Sequence, residues 1–227
     1  KRVSVLGNLK FSAPPLAFDR HERDEFRESI GERTVFLAAS THEGEEEVVA
    51  EAHQILKNYF PNILTLLAPR HPHRADSIHK MLFRLGLQVT RRTSSRLPTV
   101  ETDVFICDTL GEMGLFYQLS PVVFLGGSIA PIGGHNVIEP AHFACAILHG
   151  PNGQNFQETT DMFVNSKAMI TVNSAEEMAD KYKLLIENPD IHERMTQAAK
   201  GIALSHDTIL ERLCADLSGE IRSQHGC

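Results

Sequence analysis

Thr34-Val35-Phe36-Leu37-Ala38-Ala39 opens a run that continues through Val48, Val49, Ala52, Ile55, Leu56 and Tyr59 to Ile63-Leu64-Thr65-Leu66-Leu67-Ala68. The two outer stretches are short and nearly continuously apolar, as strands buried on both faces are. Between them, from about Glu43 to Phe60, the apolar residues recur with a helical period. A strand, a helix and a strand in succession make a parallel crossover unit. The alternation continues outward. Helices are predicted at Ala75 to Leu85, Gly111 to Gln118, Asn136 to Phe143 and Asn155 to Val164. Strands are predicted at Leu87 to Thr90, Asp103 to Cys107, Val122 to Leu125, Cys145 to Leu148 and Ala168 to Val172. Three helices follow, Ala175–Glu187, Asp190–Ala203 and Thr208–Ile221. The class is therefore α/β, a Rossmann-like doubly wound parallel sheet. Residues 33–227 read as one domain. Residues 1–32 read as linker-like chain, with Ala13-Pro14-Pro15, followed by a charged helix from about Asp19 to Ile30.

The 227 residues suffice for a sizeable core, and 42% hydrophobic with 22% charged residues is ordinary globular composition. A formal net charge of −7 disfavours a broad nucleic-acid footprint. No run of about 18 apolar residues is present to span a bilayer. The start, Lys1-Arg2-Val3-Ser4-Val5-Leu6-Gly7, shows no signal peptide, and its lack of an initiator Met suggests a piece of a longer protein. Cys107, Cys145, Cys214 and Cys227 are too scattered for a disulfide scaffold. There are 12 histidines, several in Pro69-Arg70-His71-Pro72-His73-Arg74, but no H-E-x-x-H or comparable spacing, so no metal site is expected.

Open parallel sheets bind ligands beyond the carboxyl ends of their strands, so the chemistry is sought in the residues after each strand. The first junction is Ser40-Thr41-His42-Glu43. Ser40 or Thr41 caps the helix there, Glu43 completes a capping box, and Glu45, Glu46 and Glu47 complement the positive helix end. The hydroxyls and His42 remain candidates to face the cleft. At the second, Pro69-Arg70-His71, an arginine in an acidic protein needs a partner, either a phosphate gripped by the guanidinium fork or a neighbouring carboxylate. The third is Asp108-Thr109-Leu110-Gly111-Glu112-Met113-Gly114, where glycines admit close approach of a base or ribose, although Asp-Thr is also an ordinary helix cap.

The fourth junction is the richest: Gly126-Gly127-Ser128, then Gly133-Gly134-His135-Asn136-Val137-Ile138-Glu139-Pro140. The second glycine pair immediately precedes a predicted helix start, whose free N–H groups suit an anion. Asn136 with Glu139 is either a capping box or a functional pair, with Glu139 accepting from two sugar hydroxyls while the N–H groups hold a phosphate. Neither G-x-G-x-x-G nor G-x-x-x-x-G-K-[ST] occurs, which excludes the common dinucleotide and P-loop patterns.

Taken in order, Gly7-Asn8-Leu9-Lys10-Phe11, Ala38 through Glu47, Pro69-Arg70-His71-Pro72, Gly111-Glu112 and Gly133-Gly134-His135-Asn136 through Glu139-Pro140 resemble the bacterial 3-deoxy-D-manno-octulosonic acid (Kdo) transferases. The Glu-Pro after a glycine-rich loop is shared more widely among GT-B glycosyltransferases. The resemblance implies the C-terminal, CMP-Kdo-binding domain of an inverting GT-B enzyme that moves Kdo onto a lipid A precursor in lipopolysaccharide core synthesis. Such an enzyme works at the cytoplasmic side of the bacterial inner membrane. The acceptor site, membrane contact and general base would lie in an N-terminal half, so this chain, itself soluble, is expected to bind donor without turning it over. Gly7 to Phe11 would then end the interdomain connection.

Carried over by motif, the donor contacts are Pro69, Arg70, Leu110, Gly111, Glu112, Asn136, Val137, Ile138 and Glu139. Ser40, Thr41, His42, Met113, Gly126, Gly127, Ser128, Gly134 and His135 are their expected neighbours. No cofactor or metal is expected, because a single phosphate is held by arginine and N–H groups without one. Two other readings stay open: the donor domain of a UDP-sugar transferase or epimerase, and a non-catalytic nucleotide-sugar-binding module.

Overall fold

The computed structural model describes residues 15–204. The sequence features at Gly7 to Phe11 and Thr208 to Ile221, and Cys214 and Cys227, lie outside them. The elements in chain order are α1 (Arg20–Ile30), β1 (Val35–Thr41), α2 (Glu45–Lys57), β2 (Leu64–Pro69), α3 (Ala75–Arg84), β3 (Val89–Arg91) and β4 (Val104–Ile106). Then come α4 (Met113–Leu119), β5 (Val122–Leu125), α5 (Ile138–His142), β6 (Ala146–His149), α6 (Gln157–Asn165), β7 (Met169–Thr171) and α7 (Ala175–Glu187). A last helix, α8, covers residues 189–204.

The seven strands form one sheet in the order β3-β4-β2-β1-β5-β6-β7, and every pairing is parallel. A parallel neighbour cannot be reached by a hairpin, so each strand is followed by a crossover that lays cover on the sheet. Alternation along β1 sends its side chains to two separate cores. Val35, Leu37 and Ala39 meet Phe26, Phe105, Phe116, Ile138 and Phe163 on one face. Phe36 and Ala38 meet Val49, Leu56, Ile78, Leu82 and Tyr182 on the other. Burial on both faces explains the unbroken apolar run of β1.

The charged helix predicted from Asp19 forms as α1, with Asp19 as its cap, accepting from the N–H groups of His21 and Glu22 at 2.7 and 3.1 Å. Phe26 on this helix is fully buried, its ring edge-on to Phe105 at 5.4 Å and to Phe116 at 6.3 Å. Helix α1 therefore shares the core of the sheet domain.

The chain winds outward from the centre in both directions: β2, β4 and β3 lie on one side of β1, and β5, β6 and β7 on the other. This reversal opens a crevice at the carboxyl ends of β1 and β5, where a doubly wound sheet places its ligand. Because all strands run the same way, the segments after β4, β2, β1 and β5 emerge at one edge of the sheet, side by side in that order.

Candidate functional site in the crevice between β1 and β5

The two central strands end in an unusual approach of backbone to backbone. Ser40 adopts a left-handed conformation (φ 54°), and the pairing of β1 with β2 slips between Ala39 and Thr41. Gly126 lies directly against this kink: a Cβ there would stand 2.6 Å from the Ser40 carbonyl oxygen and 2.7 Å from the Thr41 Cα. Only glycine permits that contact.

The helix after β1 does not begin as its sequence suggests. No capping box forms from Ser40 or Thr41 and Glu43; the N-cap is Gly44, left-handed at φ 88°, with no side-chain cap. Thr41 instead donates its hydroxyl to Glu46 at 3.1 Å, and Arg74 grips the same carboxylate at 2.7 and 3.2 Å. Burial pushes the Glu46 carboxyl up, and the Arg74 contact opposes that.

Glu45 departs further from the expected dipole role. Its side chain is 0% exposed and reaches across the crevice. Oε2 accepts from the N–H groups of His42 at 2.9 Å and Gly127 at 2.7 Å. Oε1 accepts from those of Ser128, Ile129 and Ala130 at 3.0, 2.9 and 3.2 Å. A buried carboxylate needs such donors to offset its lost hydration. The glycine-rich turn after β5 thus forms an anion-binding nest already filled by the protein's own side chain. Ser128 is likewise committed, donating to the Leu125 carbonyl at 2.6 Å and accepting from the Gly150 N–H at 2.8 Å.

Above this clamp stand two half-buried histidines. His42 Nε2 and His135 Nε2 are 2.9 Å apart, and with centroids 5.1 Å apart and a 10° interplanar angle the two rings meet end to end, nearly coplanar. Burial is the main force holding His42 below its ordinary range, with Glu45 opposing. Burial likewise pushes His135 down to about 4, assisted by His42 and Arg70. Gly134 makes room for a third ring: a Cβ would lie 2.9 Å from His149 Nε2, a buried atom with no hydrogen-bond partner among the described residues.

Arg70 emerges from the end of β2 into the same crevice. Its backbone N–H is bound to the Thr41 carbonyl at 3.0 Å, whereas its exposed guanidinium has no ion pair or hydrogen bond among the described residues. Its charge acts on His42, on His135 and on Glu139. Burial raises the Glu139 carboxyl, and Asn136 and Arg70 counter it. Among the described residues no carboxylate pairs with Arg70, while its charge reaches both His135 and Glu139.

The helix expected to start directly after Gly134 begins only at Ile138, with Val137 as its N-cap. The Gly134 N–H is bound to the Gly127 carbonyl at 2.7 Å. Asn136 accepts from the Ile138 N–H at 3.1 Å. The N–H groups of His135 and Asn136 make no hydrogen bond among the described residues. The N–H groups of Val137 and Glu139 likewise make none, so the donors left for a ligand run from His135 into the first turn of α5, except that of Ile138. Val137 and Ile138 are buried, so only their backbone can serve.

The loop after β4 also departs from expectation. Asp108 and Thr109 do not cap α4, which begins at Met113 with Glu112 as N-cap. Asp108 ties the loop to the end of β3, accepting from Arg91 Nε at 2.9 Å and from the Thr93 N–H and hydroxyl at 2.9 and 2.7 Å. Glu112 is held by Arg92 at 2.6 and 3.2 Å and by the Thr109 hydroxyl. Arg92 also binds Glu22 of α1. Between these anchors Leu110 is 81% exposed and Gly111 is left-handed at φ 83°. Pro69 is buried at the end of β2, next to β4 in the sheet.

Sequence reasoning missed Glu45, Arg92 and His149. Glu45 and Arg92 are ordinary charged residues in the sequence, and their partners lie far along the chain. Among the described residues no three His, Cys, Asp or Glu side chains converge to hold a metal ion. Cys107 and Cys145 are buried free thiols, and no helix is long and apolar enough to cross a membrane among those same residues.

No family model matches the chain. It is 31% identical over 222 residues to a 3-deoxy-D-manno-octulosonic acid transferase of Haemophilus influenzae, an alignment covering 94% of this chain and 50% of that protein. The chain thus spans about half the length of the curated relatives it matches. Among solved structures, the C-terminal CMP-Kdo binding domain of WaaA from Acinetobacter baumannii superposes with a TM-score of 0.76 at 30% identity. That match covers 81% of this chain and 96% of the other. Anabaena HepE in complex with UDP-glucose matches with a TM-score of 0.61 at 14% identity, over 94% of this chain and 56% of HepE, which shows the shared fold alone. The architecture is the Rossmann-like α/β fold of GT-B glycosyltransferase C-terminal domains. The chain belongs to the 3-deoxy-D-manno-octulosonic acid transferase family.

Proposed function

We propose that the crevice between β1 and β5 binds the nucleotide of CMP-Kdo, as the donor half of an inverting Kdo transferase. The observation that carries this reading is the exposed guanidinium of Arg70, which pairs with no side chain among the described residues and whose charge reaches His135 and Glu139. Arg70 and the N–H groups of His135 and Asn136 grip the single phosphate, Glu139 accepts from the ribose hydroxyls, and the Leu110–Glu112 loop covers the base. Breaking the bond to the sugar concentrates charge on that phosphate. Donors already aimed at it stabilise the transition state without reorganising, and no metal is required.

Residues 33–227 are the donor domain in this reading, and residues 1–32 carry the interdomain connection and the packed helix α1. The general base for the acceptor hydroxyl, the lipid A precursor and contact with the cytoplasmic face of the inner membrane all belong to a part outside this chain. The chain alone then binds donor without turnover.

A thermal-shift panel of CMP, UMP, AMP and UDP tests the assignment. A ligand that binds only the folded state raises its melting temperature. CMP is expected to give the largest shift. A larger shift with UDP favours a UDP-sugar enzyme, and no shift with any nucleotide removes the donor assignment.

A further inference from the structure

The loop assigned to the base is held at both ends by consecutive arginines that follow one another at the end of β3. Arg91 takes Asp108 at the start of the loop, and also Asp76 of α3. Arg92 takes Glu112 at its end, and also Glu22 of α1. The second connection leads to the helix that precedes β1. We propose that Arg92 and Glu22 are positioning residues for the donor nucleotide: they set the Leu110–Glu112 loop through the Glu112 carboxylate, and so couple the docking of α1 to binding of the base. This rests on the donor reading above and deepens it.

Arg92 is only 8% exposed and uses four of its five guanidinium N–H donors. Nε and Nη2 form a fork on the two Glu112 oxygens, at 3.2 and 2.6 Å. The same Nη2 reaches Glu22, and Nη1 reaches the Arg96 carbonyl. The guanidinium also lies 5.8 Å from the ring centroid of Phe26, a second α1 residue. Arg96 adds another tie to that helix, 3.1 Å from Glu25. The hub itself is fixed to the sheet, because the Arg92 N–H donates to the Ile106 carbonyl at 2.9 Å. Glu112 is the N-cap residue of α4, yet its side chain gives no bond to its own helix; Arg92 and Thr109 hold it instead. Burial alone would raise this carboxyl, but those two contacts outweigh it and keep the group below its ordinary range.

A buried charge network is a costly way to stabilise a fold, since apolar side chains of similar volume often serve as well. What a bidentate fork supplies is geometry. Between the two anchors the loop is open: Leu110 is 81% exposed, and Gly111 is left-handed at φ 83°. A displaced α1 carries Glu22 away from Arg92 and loosens the hold on Glu112. Coupling of this kind is reciprocal, so a nucleotide that favours the ordered loop favours the docked helix equally.

The test compares CMP with ribose 5-phosphate, which keeps phosphate and sugar but lacks the base. Both are titrated into the whole chain and followed by their phosphorus resonance, which reads weak binding as well as tight. Arg92→Lys keeps the charge and loses the fork, whereas Glu22→Gln leaves the fork and weakens the tie to α1. CMP should bind about tenfold more weakly to Arg92→Lys and about threefold more weakly to Glu22→Gln. Ribose 5-phosphate should stay within about twofold of wild type in both, which also reports an intact fold. In hydrogen exchange, saturating CMP should slow the amides of α1 (Arg20–Ile30) at least about twofold in wild type and leave them unchanged in Glu22→Gln. Equal loss of both ligands makes the network merely structural and overturns the proposal, as does α1 exchange in wild type that ignores CMP. Absence of CMP binding to wild type removes the donor reading and this proposal with it. Normal CMP binding that neither variant weakens removes this proposal alone.

Discussion

Glu45→Gln replaces one carboxylate oxygen with an amide nitrogen and leaves the side-chain shape almost unchanged. Whichever way the amide turns, its nitrogen meets N–H groups that need an acceptor. On the Oε2 side these are His42 and Gly127; on the Oε1 side they are Ser128, Ile129 and Ala130. The less costly orientation orphans two buried donors. At about 1–3 kcal/mol for each unsatisfied group, the loss is about 2–6 kcal/mol. Relief of a buried charge returns part of it, so a net destabilisation of about 2–4 kcal/mol is expected. For a chain of this size that lowers the melting temperature by roughly 5–15 °C. Thermal unfolding followed by circular dichroism reads this directly, and the same sample should bind CMP more weakly because His42 and the β5 turn lose their tether. A variant that melts within about 2 °C of wild type and binds CMP normally would refute the clamp.

Two further outcomes follow from the same geometry. Gly134→Ala forces a Cβ to 2.9 Å from His149 Nε2 in a left-handed backbone (φ 79°), so urea denaturation should show a loss of about 1–3 kcal/mol, whereas unchanged stability would mean that the loop relaxes freely. His135 titrates near 4 in the fold, against an ordinary value of 6.5. The folded state therefore binds fewer protons than the unfolded chain in that interval, and stability present above about pH 6.5 is lost as pH falls toward 4. His135→Gln should flatten this part of the stability–pH curve, and an identical acid limb in both proteins would contradict the buried neutral ring.

The strands were legible because burial on both faces leaves an unmistakable apolar run, as in Val122–Leu125, which the structure reproduces residue for residue. Helix α7 was equally plain: it forms at Ala175–Glu187 as predicted, and the structure adds Ser174 as its cap, accepting from the Glu177 N–H at 3.3 Å. Errors arose where a local signal competed with a distant partner. Ser40-Thr41-His42-Glu43 has the spacing of a capping box, but Ser40 turns left-handed to meet Gly126, and the helix starts at Glu45. Asp108 looks like a cap and is instead taken by Arg91 and Thr93. Glu45 looks like a dipole-complementing residue, and its partners at 127–130 are some 80 positions away. Side chains that bridge the switch point leave no periodic trace in sequence. The loops after the strands, by contrast, made Arg70, His135 and Glu139 candidates, because parallel strands deliver their carboxyl ends to one edge.

In the proposed donor site the Arg70 guanidinium, which pairs with nothing among the described residues, holds the nucleotide phosphate. Titration calorimetry of CMP into wild type and Arg70→Ala tests it most directly. Since Arg70 has no side-chain partner among the described residues, the variant should melt as wild type does. It should nevertheless bind CMP at least about tenfold more weakly, the 1.4 kcal/mol or so of one charge-assisted contact. Equal affinity in the two proteins would contradict the account.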